Sequence, residues 1–182
     1  MTPGTLVLLH DPADTAAGWG PLPETLRSYG LDVVAPDVRG VEGMRYVARA
    51  ALVIAATAPR APLILVGHGA VGPLLPSIAV AQRAAHRPVG GYVFIDARLP
   101  RARRAPQSAD PGQGHGHDHG DGHPETPEAP VPDDWPEAPC GYLQLSTAYD
   151  QEARQASLRG WPVAASEQAD VAQALHKLIV TL

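Results

Sequence analysis

Six short apolar runs alternate with segments of helical period, and this alternation limits the possible architecture more than any other feature. The runs are "TLVLL" (5–9), "DVVA" (32–35), "LILVG" (63–67), "YVFID" (92–96), "GYLQLS" (141–146) and, more weakly, "WPVAA" (161–165). They lack the polar alternation of strands with one wet face. Ala/Arg/Leu segments lie at about 20–29, 43–58, 70–86 and 149–159, and a last one runs 166–181. Strands buried on both faces and separated by helices predict an α/β fold, a parallel sheet covered on both sides. Ser166 is placed to open the last helix, with Val171, Ala174, Leu175, Leu178 and Ile179 on one face. Pro36 and Pro62 punctuate the strand boundaries.

The chain of 182 residues is long enough for one domain, 1–182, with a substantial core. A net charge of −5 and the lack of a Lys/Arg stripe argue against a nucleic-acid partner. The single cysteine, Cys140, excludes an intramolecular disulfide and reads as a small buried residue. The start "MTPGTLVLLH" has no basic region and only a four-residue apolar run, unlike a signal peptide. No stretch approaches the roughly 20 apolar residues of a membrane span. These features predict a cytoplasmic protein with no membrane partner. Its oligomeric state is left open.

One segment breaks the rhythm. Residues 98–139 contain nine of the twenty prolines, the tract "GQGHGHDHGDGH", and almost no aliphatic side chains. Such a stretch cannot bury enough apolar surface to offset its ordering entropy, which predicts a flexible insertion between the fourth and fifth strands. Within it, His115, His117, His119 and His123 fall in nine residues, beside Asp118 and Asp121. Imidazoles separated by glycine suit Zn or Ni, although the spacing is not that of a closed structural zinc site. No other cofactor is expected.

The stretch "LILVGHGAVGPLLP" (63–76) has the layout of a strand, a sharp turn and a helix. Together with "LVLLHDPADTAAGWGPLPETLRSYGLDVVAPDVRG" and "GYVFIDARLP", it resembles the α/β-hydrolase fold family, particularly small bacterial members. The resemblance covers nearly the whole chain apart from 98–139. It implies a three-layer sandwich that starts at the family's third strand, with about six parallel strands in the order 4-3-5-6-7-8. It also implies that 98–139 replaces the lid. Gly67-His68-Gly69-Ala70-Val71-Gly72 matches the nucleophile elbow, so Gly69 stands at a vacant nucleophile position. The interval that should carry the catalytic His, "AASEQ", has none, and His176 lies further on, in the last helix. The turn after the first strand, usually His-Gly, is His10-Asp11, and a carboxylate there would repel a developing oxyanion. Asp150 matches the family's acid position, and Asp96 ends the preceding strand.

Strand C-terminal ends form the ligand crevice of an open α/β sheet. The residual catalytic positions are then Gly69, His68, Asp150 and Asp96. His10, Asp11, Trp19, Ala70 and Ser146 are expected around a ligand pocket, with Leu74 nearby. The leading expectation is a catalytically degenerate hydrolase homologue that binds a small molecule or a partner protein. The alternatives are a non-hydrolytic acid–base enzyme of lyase, isomerase or cyclase type using His68, His10 and carboxylates, metal binding by the His-rich loop, and residual esterase activity.

Overall fold

The computed structural model describes residues 4–101, 131–167 and 170–182. Six strands form one all-parallel sheet. They are β1 (Leu6–Leu9), β2 (Val33–Val34), β3 (Leu63–Gly69), β4 (Val89–Ala97), β5 (Cys140–Gln144) and β6 (Val163–Ala165). Their order is β2-β1-β3-β4-β5-β6. With β1 numbered as the family's third strand, this is the expected order 4-3-5-6-7-8.

Side chains of alternate strand residues feed two cores, one on each face of the sheet. Leu6, Leu8, Val66, Val93 and Ile95 meet Leu22 and Leu26 of α1 (Leu22–Ser28), and Leu175 and Leu178 of α5 (Val171–Thr181). Val7, Leu9, Leu63, Leu65 and Phe94 meet the other three helices: α2 (Gly43–Ala56), α3 (Leu75–Ala84) and α4 (Asp150–Leu158). Both sides of each central strand are therefore dry, which is why those strands read as continuous apolar runs.

Three expectations are corrected. The last helix begins at Val171, with Asp170 rather than Ser166 at its N-cap. The helix expected at 70–86 begins at Leu75, after a 3-10 turn over Gly72–Leu74. The flanks of the Pro-rich segment are packed. Leu99 is buried, and Trp135 makes edge contacts with Tyr92, Phe94 and Trp161 at ring-centroid distances of 5.9–6.4 Å. Tyr92 donates to Glu137 at 2.6 Å, and Arg83 of α3 lies 3.3 Å from both Asp134 and Glu137. Counting aliphatic residues overlooked Trp135, whose ring anchors this flank. The residues between 101 and 131 lie outside the described part of the chain.

Candidate functional site

The chain leaves β1 toward β2 on one side and returns to place β3 on the other. The C-terminal ends of β1 and β3 therefore border the topological switch point, where open α/β sheets hold ligands. The register slips between His68 and Gly69. Gly69 turns with φ +64°, a left-handed conformation that glycine adopts without side-chain strain. Just beyond, Gly72 sits so tightly on the Arg98 carbonyl and the Ala97 methyl that a β-carbon there would overlap them. This close approach lets the turn dock on the end of β4.

The crevice at this point is filled by Asp11. Its Oδ2 accepts the Ala70 N–H at 2.7 Å, and its Oδ1 accepts the Ala13 N–H at 2.9 Å. A β-carbon built on Gly69 would overlap Oδ2 and approach the Asp11 Cγ to 3.1 Å. The carboxylate thus covers the space of a side chain at 69 and takes up the backbone N–H that follows the elbow.

His10 is a framework residue. It is 2% exposed. Its Nε2 accepts the Val38 N–H at 2.9 Å, which leaves the ring proton on Nδ1, 2.8 Å from the Asp11 carbonyl. Asp37 lies 3.5 Å from the same Nε2, but a nitrogen that accepts an N–H has no proton to share, so this contact is not an ion pair. The Tyr46 hydroxyl donates to the His10 carbonyl at 2.8 Å. Asp37 instead accepts the Ala16 N–H at 3.2 Å and pairs with Arg39. The Ala16 N–H and the Arg39 guanidinium hold its carboxyl below the usual range. The "PDVRG" segment therefore fixes the turn Ala16–Trp19.

Asp96 is buried and takes a positive φ, +39°, which Asp tolerates better than most residues. Its Oδ1 accepts the Leu145 N–H at 2.8 Å and the Ser146 N–H at 3.3 Å, tying the end of β4 to the end of β5. The exposed Ser146 accepts the Ala148 N–H with its hydroxyl at 3.2 Å, a local turn contact. Asp150 is exposed at the start of α4 and accepts from the Gln144 side-chain amide. Tyr149 belongs to this rim although sequence reasoning missed it. Its hydroxyl pKa is raised by burial, then by the carboxylates of Asp96 and Asp11. A Tyr one residue before a candidate acid gave no signal by itself.

A cleft of about 670 Å³ opens beside this rim, on the α1/α5 face. Trp19 and His68 line it, with ring centroids 5.8 Å apart in an edge-on arrangement. Its base includes Ile95 and Leu145 from the ends of β4 and β5, and its sides include Leu22 of α1 and Val171 of α5. Of the expected pocket residues, the structure brings only Trp19 into this cleft, and of the residual catalytic positions only His68. His10, Asp11, Ala70 and Ser146 hold the neighbouring backbone, and Leu74 is buried in the core of the opposite face. The shortened connection between β6 and α5 borders the cleft, so residues near Val171 reach a place that sequence spacing alone did not predict.

No family model and no curated protein matches the chain. Solved structures do. RedJ, determined with a polyethylene glycol molecule in its active site, matches with a TM-score of 0.53 at 14% identity, over 98% of this chain and 88% of its own. The chain has the α/β-hydrolase fold. An extracellular α/β-hydrolase from a Paenibacillus species, described as sharing structural and functional homology with tobacco salicylic acid binding protein 2, matches with a TM-score of 0.46 at 23% identity. That match covers 55% of this chain and 43% of the Paenibacillus protein. Among the described residues, no helix is long and apolar enough to cross a membrane, and no group of three or more His, Cys, Asp or Glu is placed to hold a metal ion. His115, His117, His119 and His123 lie outside the described residues.

Proposed function

We propose that this α/β-hydrolase-fold chain does not carry out acyl transfer at its elbow and instead binds a small organic molecule in the cleft between Trp19 and α5. The seat of Asp11 carries this reading. Acyl transfer needs a nucleophile on the elbow and N–H donors aimed at a developing oxyanion. Here Gly69 supplies no nucleophile, and a carboxylate already holds the Ala70 N–H. An oxyanion at that place would meet a negative charge.

The test is turnover of p-nitrophenyl acetate and butyrate by the purified chain. The expected rate equals that of buffer for wild type and for Gly69→Ser, because a serine without a base remains a weak nucleophile. Turnover that disappears in Asp150→Ala or His68→Ala would overturn the reading. Native mass spectrometry of freshly purified protein then looks for a retained ligand.

A second reading, acid–base chemistry without a nucleophile, is supported by His68. Its ring faces the cleft, and no hydrogen bond to a described residue orients it. It is the imidazole of this rim left available for proton transfer, since His10 is engaged at both nitrogens. On this reading, His68→Ala abolishes a reaction that Gly69→Ser leaves intact, and His10→Ala acts only through stability.

A further inference from the structure

We propose that the cleft selects a ring-bearing organic cation, a planar apolar body that carries a protonated amine. This rests on the reading that the cleft binds a small molecule, and it adds the chemical class. The walls set the body of the ligand. Trp19, Pro21 and Leu22 stand on one side and Val171 on the other, above Ile95 and Leu145. A cleft of about 670 Å³ with these surfaces has room for a ring laid against Trp19 and the apolar side chains at its base, while its polar side chains remain to engage a substituent on that ring.

The charge follows from the remaining lining residues. Asp14 and Asp170 both line the cleft and both are exposed, while no Lys or Arg lines it. Neither carboxylate is fully committed to the fold. Asp170 occupies the N-cap of α5 yet its side chain makes no capping bond. Asp14 uses Oδ1 to accept the Thr15 N–H at 2.8 Å, and its other oxygen lies where a β-carbon on Gly18 would be. Gly18 therefore leaves room for a carboxylate turned along the cleft edge. His68 adds a hydrogen-bonding group of either sign at the inner end. A carboxylate ligand would meet two like charges here. An ammonium would meet two opposite ones.

The test is isothermal titration of the full chain with three probes of one shape: 1-naphthylmethylamine, 1-naphthalenemethanol and 1-naphthoate. The amine is expected to bind about tenfold tighter than the alcohol at low salt, an advantage that shrinks as salt rises, and the carboxylate is expected to bind weakest. The double variant Asp14→Asn, Asp170→Asn should remove the amine's advantage while leaving the alcohol's affinity within about twofold. Ala172→Trp, which fills the cleft, should weaken all three. If amine and alcohol bind equally, or the amine's advantage survives in the double variant, the charge inference fails and the cleft reading stands. If the carboxylate binds as tightly as the amine, the charge inference fails outright. If none of the three binds, both readings fall.

Discussion

Replacing Gly69 with alanine makes two demands on the elbow at once. The residue has φ +64°, and a non-glycine residue in that region is destabilised by roughly 1–2 kcal/mol. The new methyl would also overlap the Asp11 Oδ2. The aspartate is the movable partner, so it would swing away and release its contacts to Ala70 and Ala13. Hydrogen bonds to a charged group contribute about 1.5–3 kcal/mol when sheltered, and these are exposed enough for water to restore part of that. About 1 kcal/mol is then lost beyond the backbone term, for a total of roughly 2–3 kcal/mol. In an Asp11→Ala background only the backbone term remains. The two substitutions should therefore couple by about 1 kcal/mol in a double-mutant cycle measured by urea unfolding. For a domain of this size, Gly69→Ala alone should lower Tm by roughly 5–10 °C. If Gly69→Ala has the same cost in both backgrounds, within about 0.5 kcal/mol, Asp11 does not occupy the elbow.

Two other predictions concern the framework. Burial pushes the Cys140 thiol up to about 12 and raises the hydroxyls of Tyr46, Tyr92 and Tyr142 as well. The folded state then holds these protons more tightly than the unfolded chain. Their stabilisation is complete below the unfolded thiol value near 9 and is lost as pH rises toward the folded values. Tm should fall from about pH 9 upward, and iodoacetamide should label native Cys140 far more slowly at pH 8 than the urea-unfolded chain. A Tm that stays flat through about pH 11, or equal labelling of the two states, would contradict the burial. His10→Ala should destabilise by about 2–4 kcal/mol, since it leaves the Val38 N–H unpaired in a dry site and opens a cavity. A loss under about 0.5 kcal/mol in denaturant midpoints would mean that water or a neighbour replaces the imidazole.

The sheet was legible because strands dry on both faces carry apolar runs that polar alternation does not interrupt. The edges of those runs were less legible. β4 begins at Val89, earlier than its apolar run, because Val89 and Gly91 pair with Leu63 and Ile64. Glycines in a strand give no propensity signal, and only the neighbouring strand shows that they belong to it. The glycine at 69 and the carboxylate at 11 were each readable from the elbow stretch and from the first turn. That one fills the other was not. Asp11 and Ala70 are 59 residues apart and meet only because β1 and β3 are adjacent. The cleft was harder still. Its walls come from a 3-10 turn, α1, three strand ends and the first turn of α5, and no local pattern links them.

The Asp11–Gly69 contact also gives the two departures an asymmetric relation. A glycine at 69 alone would leave the Ala70 N–H free for water or a ligand anion, and the switch-point crevice would stay open. An aspartate at 11 alone would collide with any β-carbon at 69. Together they close the crevice with a negative charge and leave no room for a nucleophile. On the proposed reading, acyl transfer there would require changes at 11 and 69 and a base that the β6–α5 connection does not carry. Vacating the crevice with Asp11→Gly would be the informative first step. If the cleft beside Trp19 is the binding site, that change should expose the Ala70 N–H while leaving probe affinity in the cleft unaltered. If Asp11 instead shapes the cleft by holding the first turn in place through Ala13, the affinity should fall with it.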